Sequence, residues 1–190
     1  MKKLIFCILV ILFPASLWAT PVVHFSQTYY KIKGYTAEEL RKQLDALGPV
    51  NKGKHYDAYL SWYINWNYNW RYDNPSQNPC YITDVQVTAK IVSTLPEWED
   101  KSLGDPTIQM KWDNYLSALI AHEKGHEKNG NEAATEVENT LLSIPPQSSC
   151  KLLQDAIQSQ AQSVIQKHND WDINYDATTG HGKTQGAVFP

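Results

Sequence analysis

The pentapeptide His122-Glu123-Lys124-Gly125-His126 is the feature of this chain with the clearest chemistry. It matches His-Glu-x-x-His, the minimal arrangement of zinc hydrolases. On an α-helix, two imidazoles four residues apart leave one face about 40° apart, which is close enough to bind one metal ion. Zinc held by two imidazoles and a third ligand keeps one position open for water and acidifies it. The motif therefore predicts His122 and His126 as zinc ligands and Glu123 as the base that takes the proton.

The residues around the motif predict a helix over about residues 108 to 143. Apolar residues recur at helical spacing on both sides of the motif, and Glu123 and His126 share their stripe, which predicts that both face inward. The alternative is a surface helix in which the motif is solvated and Glu123 pairs with a neighbouring lysine. Gly125 argues against this alternative. A glycine inside a helix costs about 1 kcal/mol relative to alanine, and close approach of a ligand or of another backbone is one reason to accept that cost. The stripe consists of Trp112, Leu116, Leu119, Glu123, His126, Gly130, Ala133, Val137 and Leu141.

Two histidines seldom complete a hydrolytic zinc site, so a third ligand is required. Glu132 occupies the spacing where the metzincin pattern His-Glu-x-x-His-x-x-Gly-x-x-His places its last ligand, but Asn129 replaces the turn glycine. A continuing helix would also turn Glu132 about 100° away from the histidine pair. His181 is the predicted third ligand, because its two flanking glycines allow close approach of the backbone to a metal. Glu132 is the second choice, ahead of His168 and His55.

Two alternating segments predict a long β-hairpin. Residues 59 to 72 alternate apolar with polar side chains, and residues 85 to 91 do the same after a turn rich in proline and asparagine. Leu95-Pro96 is predicted to end the second strand. Core packing is the favoured interpretation of the aromatic face of residues 59 to 72, and a carbohydrate-binding platform is the alternative.

A further strand and helix are predicted before the hairpin. The strand runs from Val22 to Lys33, where β-branched and aromatic residues are frequent. In the helix that follows, Thr36 is the N-cap, Glu39 completes a capping box, and Gly48-Pro49 ends the helix. Its predicted apolar face consists of Leu40, Leu44 and Leu47.

The end of the chain combines a predicted helix with an irregular tail. Pro145-Pro146 ends the motif helix, and a last amphipathic helix is predicted from Lys151 to Lys167. Residues 175 to 186 lack the periodicity of either regular structure. Within this tail, Tyr175 or Lys183 is a predicted hydrogen-bond donor to the reacting carbonyl, and Asp176 is predicted to orient a ligand imidazole.

The first nineteen residues have the pattern of a secretory signal peptide. Lys2 and Lys3 precede an apolar run, and cleavage is predicted after Ala19, which leaves residues 20–190 as one domain. An uncleaved N-terminal anchor is the alternative. The remainder has no second apolar stretch of membrane-spanning length. We therefore expect a periplasmic or secreted protein.

Charge and cysteine content narrow the classes of function. The chain has 17 basic and 20 acidic residues with no arginine-rich run, so we expect no nucleic-acid partner. Cys7 belongs to the signal segment, and Cys80 and Cys150 remain as a pair that is predicted to form one disulfide in an oxidising compartment.

Several motifs together resemble a known family, the bacterial exported proteins of the domain of unknown function 922 type, which are described as predicted secreted zinc-dependent proteases. The similarity spans nearly all of the chain after the signal segment. It implies a zincin-like fold with His122 and His126 as ligands and Glu123 as the catalytic base. The matching elements are residues 30–36, Trp62 with Trp66, residues 95–98, residues 119–126, and residues 175–187.

The sequence thus predicts an α+β, zincin-like metallopeptidase. Its expected architecture is an antiparallel sheet with a long hairpin, packed on the long motif helix and further helices. The expected cofactor is Zn²⁺, and the expected substrate is a peptide or protein of the cell envelope. One alternative is a non-catalytic envelope module that binds glycans or a protein through Trp62, Trp66 and Trp70, with a structural metal. A cell-wall amidase is the nearer alternative, since the same zinc chemistry cleaves any amide.

Overall fold

The computed structural model describes residues 20–189, so the predicted signal peptide lies outside the described residues. Within these residues the chain forms an α+β fold with three α-helices, a three-stranded sheet and a small two-stranded sheet. Single turns of 3₁₀ helix lie at Lys101–Leu103 and Lys183–Gln185. The main elements are β1 (Val22–Ile32), α1 (Ala37–Leu47), β2 (Val50–Asn51), β3 (Lys54–His55), β4 (Tyr59–Tyr72), β5 (Cys80–Trp98), α2 (Pro106–Leu142) and α3 (Cys150–Thr179).

The large sheet has the strand order β1-β5-β4. The predicted hairpin is confirmed, because β4 and β5 pair antiparallel from Tyr59 opposite Thr94 to Tyr72 opposite Cys80. The predicted all-antiparallel sheet is wrong, because β1 pairs parallel with β5 and the sheet is mixed. Alternation along a strand determines its two faces but not its neighbours. Here the chain passes from β1 through α1 before it reaches β4, so β5 can lie between these two strands. A direct hairpin from β1 to β4 would have made them neighbours.

The central strand β5 continues past the predicted stop at Leu95-Pro96 as far as Trp98. Beyond Thr94 the strand β4 is no longer beside it, so β5 pairs only with β1, where Pro96 lies opposite Tyr30. Proline has no backbone N–H to donate, so it is tolerated where one side of a strand has no neighbouring strand.

The helix α1 confirms the predicted capping box. The Thr36 hydroxyl accepts from the Glu39 backbone N–H at 3.2 Å, and the Glu39 carboxylate accepts from the Thr36 N–H at 3.2 Å. Leu40 and Leu44 are fully buried, whereas Leu47 is 51% exposed, so its predicted burial is wrong. Leu47 is the last residue of the helix.

The helix α2 packs across the large sheet and buries the predicted stripe, except that Leu116 is only half-buried. Asp105 caps its start by accepting from the Thr107 N–H at 2.8 Å, and Pro106 occupies the first turn, where a missing N–H costs nothing. Side chains of α2 meet β4, β5 and α3 in one apolar core cluster. Its fully buried members are Cys80, Ala89, Ala133, Ala134, Val137, Leu141 and Ala161.

The helix α3 is longer than predicted, and the prediction of an irregular tail from residue 175 is wrong as far as Thr179. The inward face of α3 becomes polar after Val164, where Asp172 and Asp176 contact the motif of α2. The apolar stripe of α3 therefore ends before the helix does. A prediction from hydrophobic periodicity does not include the part of the helix after Lys167. Gly180 ends α3 in the left-handed conformation.

The predicted disulfide is confirmed: Cys80 and Cys150 are joined, with their Cα atoms 5.1 Å apart. The bond connects the first residue of β5 to the first residue of α3. Among the described residues, no helix is long and apolar enough to span a membrane.

Candidate metal centre

The helices α2 and α3 run antiparallel and present matched pairs of side chains to each other. Two histidines four residues apart on α2 face two aspartates four residues apart on α3. The Oδ1 atom of Asp176 lies 2.9 Å from His126 Nε2 and 3.1 Å from His122 Nε2. One donor atom from each of His122, His126 and Asp176 lies within 4.8 Å of the other two. In residues 20–189, this is the group of His, Cys, Asp and Glu side chains with the geometry to hold a metal ion.

The ring of His126 is oriented by Asp172, a residue that was not predicted from the sequence. The Nδ1 atom of His126 lies 2.8 Å from Asp172 Oδ1. Asp172 is itself held, because Trp62 donates its indole N–H to Oδ2 at 2.7 Å and Asn129 donates to Oδ1 at 3.0 Å. A carboxylate that accepts from Nδ1–H leaves Nε2 of the imidazole as the donor toward a metal.

Asn129, which stands where the metzincin pattern has its turn glycine, links the site to a second buried histidine. It is only 3% exposed, and its amide oxygen lies 2.6 Å from His168 Nδ1. The other ring nitrogen of His168 lies 3.0 Å from the Glu136 carboxylate, which also forms an ion pair with Lys167. Both ring nitrogens of His168 are therefore committed away from the cluster, and the sequence-level alternative of His168 as a ligand gains no support.

The ring of His122 is held on its face and at its edge. Tyr175 stacks on it with ring centroids 4.9 Å apart and planes 11° apart. The side-chain oxygen of Gln185 lies 2.9 Å from His122 Nδ1. Gly125 makes room for Tyr175, because a Cβ atom at this glycine would lie 2.5 Å from the tyrosine hydroxyl. The glycine inside the motif helix thus has a packing reason.

Glu123 projects into the same site and is 6% exposed. Among the described residues, its Oε2 atom is the buried side-chain oxygen or nitrogen that has no hydrogen-bond partner. Burial raises the pKa of Glu123 to about 7, although the neighbouring His126 and His122 oppose the shift. A buried carboxyl group with an unpaired oxygen and a pKa near neutrality is suited to accepting and returning a proton.

The charges of the cluster reinforce one another. Burial lowers the pKa of His126, but its hydrogen bonds to Asp172 and Asp176 outweigh burial and raise this pKa to about 10. Burial raises the pKa of Asp176, but the hydrogen bonds from His122 and His126 outweigh it and hold this pKa well below its usual range. The two aspartates therefore favour the charged imidazolium form of His126. A cation at the centre competes with that proton.

The residues proposed from sequence as third ligands lie in different surroundings. The His181 side chain is 51% exposed, and its Nδ1 atom lies 3.4 Å from Asp176 Oδ1, so it lies beside the cluster but outside the group of three. Its ring meets the edge of Tyr56 at a centroid distance of 5.0 Å. Glu132 is 58% exposed and pairs with Lys128. Asp176, predicted to orient an imidazole, contacts both imidazoles and is the third member of the group with the geometry to hold a metal ion.

A cavity of about 980 Å³ opens onto the site, and its wall includes Glu123 and His126. Lys183 and His181 line it on the side of the C-terminal segment, and His55 lines it from the small sheet. Tyr175 is not part of this wall, and its hydroxyl is directed to the His122 backbone oxygen at 3.4 Å. Its volume lies within the range of pockets that bind small ligands, about 300–1,000 Å³.

The aromatic face of β4 is mainly internal. Trp62 and Trp66 are half-buried and pack against the core cluster of α2 and α3, whereas Trp70, near the end of the hairpin, is 43% exposed. The core-packing interpretation is confirmed for Trp62 and Trp66.

Three residues of the site were missed in the sequence: Asp172, Asn129 and Gln185. A signal existed for the first, because Asp172 and Asp176 repeat the four-residue spacing of His122 and His126. That repeat is meaningful only if residues 172 to 176 are helical and antiparallel to the motif.

These features define an α+β protein with a two-histidine, one-aspartate site beside a buried glutamate. The chain belongs to the family described as bacterial protein of unknown function (DUF922), which matches residues 27–182. Comparison with curated proteins gave no significant match. Comparison with solved structures gave none either.

Proposed function

We propose that this chain is an exported zinc-dependent peptidase in which His122, His126 and Asp176 hold the metal and Glu123 is the general base. One observation carries the proposal. Three donor atoms converge within 4.8 Å of one another, beside a buried glutamate whose Oε2 has no partner. Structural polar clusters satisfy their buried atoms, so an unpaired carboxyl oxygen in a cavity wall favours a functional role.

The donor set fits zinc. Catalytic zinc sites use three protein ligands, commonly nitrogen and carboxylate oxygen, and keep one position open. The two imidazoles have their Nδ1 atoms engaged by Asp172 and Gln185, so both Nε2 atoms are available to the metal. His181, the ligand predicted from sequence, is assigned here to the cavity wall beside the metal.

Bound zinc would supply Lewis acidity that lowers the pKa of water and polarises an amide carbonyl. The chain's own residues do the rest. Glu123, buried in the site with its Oε2 atom unpaired, would take a proton from the attacking water and return it to the leaving amine. His181 and Lys183 line the cavity, and they are the proposed hydrogen-bond donors to a bound carbonyl.

Export and substrate class belong to the same proposal. The Cys80–Cys150 bond is of the kind that persists in oxidising compartments, and the first nineteen residues have a secretory pattern. We therefore assign the protein to the periplasm or the exterior, with peptides or proteins of the envelope as substrates. Trp62 and Trp66 are half-buried and pack against the core cluster, which does not favour the binding-module alternative.

The test measures zinc and hydrolysis separately. The chain starting at Thr20, purified without a histidine tag, is analysed for zinc by elemental analysis and assayed on a peptide library and on cell-wall stem peptides. We expect one zinc per molecule. Glu123→Gln should keep zinc and lose hydrolysis at least about 100-fold, because general-base catalysis contributes about that much or more. His122→Ala should lose both.

Glu132→Gln is the matched control, because Glu132 lies on the same helix with its side chain in solvent. It should change neither property. A wild-type protein without zinc after reconstitution, or equal loss of zinc in Glu123→Gln and His122→Ala, would overturn the proposal. Hydrolysis of stem peptides alone would identify a cell-wall amidase.

A further inference from the structure

The chain returns to the metal centre after α3 ends. We call residues 180–189 the C-terminal segment. Gly182, in the left-handed conformation with φ 81°, lies so close to α2 that a Cβ atom there would be 3.0 Å from His122 Cβ. The segment then places Gln185 at the His122 ring. Its far end is anchored by Phe189, which is 5% exposed and packs in the aromatic cluster of the core.

That anchor is specific. The Phe189 ring lies 5.4 Å from the Trp112 ring and 5.2 Å from the Tyr115 ring, measured between centroids. Both partners belong to the first turns of α2, before the motif. The C-terminal segment is therefore held at one end by α3 and at the other by the apolar part of the motif helix.

The hydrogen bonds around Gln185 have a definite direction. The backbone oxygen of His122 can only accept, so the Tyr175 hydroxyl at 3.4 Å donates to it. The same hydroxyl oxygen accepts from Gln185 Nε2 at 3.0 Å. The amide oxygen of Gln185 must then face His122 Nδ1, at 2.9 Å, and accept its proton. This closed loop fixes a proton on His122 Nδ1, so that Nε2, the nitrogen that faces Asp176, is the atom of this ring that would bind a metal.

We propose that Gln185 is a positioning residue of the metal centre and that docking of the C-terminal segment prepares His122 to bind metal. The inference rests on the proposed zinc site. It distinguishes the two ligand histidines: His126 is oriented by Asp172 within the helix pair, whereas His122 is oriented by an amide that arrives only when the segment is docked. Half of the ligand pair thus depends on a part of the chain outside both helices.

The test compares zinc affinities measured by competition with a chromophoric chelator. Gln185→Ala should bind zinc roughly tenfold more weakly, in the range that loss of a residue orienting a ligand produces. Gln185→Glu keeps an acceptor oxygen for Nδ1–H and should restore affinity to within about threefold of wild type. Gln158→Ala, at an exposed glutamine on α3, is the control and should not change affinity.

Two further readouts separate positioning from general stability. In cobalt-substituted protein, Gln185→Ala should shift the visible absorption bands while Gln158→Ala leaves them unchanged. The melting temperature of metal-free Gln185→Ala should equal that of metal-free wild type. Phe189→Ala should weaken zinc binding by undocking the segment, and adding Gln185→Ala to it should cause little further loss, because both act on one interaction.

The outcomes are distinguishable. Absence of zinc in the wild type would overturn the proposed function together with this inference. Zinc binding in the wild type with undiminished affinity in Gln185→Ala would overturn this inference alone. A fall in the metal-free melting temperature of Gln185→Ala, with no rescue by Gln185→Glu, would show a merely structural role and would also overturn it.

Discussion

Two partly buried aspartates line the same cavity and have opposite surroundings. The Asp57 side chain, 25% exposed, accepts two hydrogen bonds from the Arg41 guanidinium and one from the Tyr115 hydroxyl. The Asp176 side chain, 32% exposed, meets the Nε2 atoms of His122 and His126. Asp57 accepts hydrogen bonds from a guanidinium and a hydroxyl group, which keep their protons. Asp176 faces two imidazoles, a type of side chain that can lose a proton and bind a metal ion.

The difference extends to the atoms around each aspartate. In the Asp57 cluster the backbone oxygen also accepts, from the Tyr30 hydroxyl at 2.7 Å, and each buried polar atom has a partner. Beside Asp176, the Glu123 Oε2 atom has none. Burial raises the pKa of Asp57, but Arg41 and Tyr115 outweigh it and lower this pKa overall. Complete pairing is typical of a cluster that stabilises the fold, and incomplete pairing is typical of one that acts on a ligand.

The largest expected effect concerns Asp176, the proposed third ligand. Asp176→Ala should weaken zinc binding at least about 100-fold, because it removes one of three donor atoms, a greater loss than that of a residue that only orients a ligand. His181→Ala should weaken it less than about tenfold, because His181 lies outside the group of three. Chelator competition measures both. The reverse order would return the third position to His181, as the sequence predicted, and would remove the contrast between the two aspartates.

The second prediction concerns Asp57. Asp57→Asn should lower the free energy of unfolding by about 2 kcal/mol, because it leaves Arg41 with a weaker partner in a partly buried setting. Zinc content should not change. Because the folded pKa of Asp57 is lowered, its stabilisation is fully present above the unfolded pKa of about 3.9 and is lost as the pH falls through the lower folded value. Urea unfolding at pH 7 and at pH 3 measures both effects.

Asp45→Asn is the control for this variant, because Asp45 contacts the same guanidinium but is 67% exposed. Its expected effect is below about 0.5 kcal/mol. If Asp57→Asn lost zinc and kept its stability, the division between a structural and a metal-binding aspartate would be wrong.

The smallest expected effect concerns Gly125. Helix propensity alone would favour alanine there by about 1 kcal/mol. The added methyl group would lie 2.5 Å from the Tyr175 hydroxyl, so Gly125→Ala should instead destabilise the protein by about 1–2 kcal/mol. The sign should reverse in the background of Tyr175→Ala, where the clash is gone. Thermal unfolding of the four proteins in this cycle measures the coupling, and additivity would show that Tyr175 does not constrain residue 125.

Features that depend on neighbours in sequence were predictable from the sequence. The capping box of Thr36 and Glu39, the β4–β5 hairpin and the buried stripe of α2 all follow from caps or periodicity. The disulfide followed from there being one cysteine pair after the signal segment. The caps and the periodic patterns involve residues a few positions apart. The disulfide needed only the number of cysteines, because two cysteines allow one pairing.

Features that depend on contacts between segments distant in sequence were not predictable from the sequence. The sheet became mixed because β5 lies between β1 and β4, and no local pattern states the order of strands. The last helix was predicted too short because its inward face is polar where it meets His122 and His126. The motif residues and their helix were predictable from the sequence, and Asp176 was predicted to contact a ligand imidazole, but Asp172 and Gln185 were not predicted. Asp172, Asp176 and Gln185 face the motif only because α3 and the C-terminal segment fold back on α2, and that packing is a tertiary event.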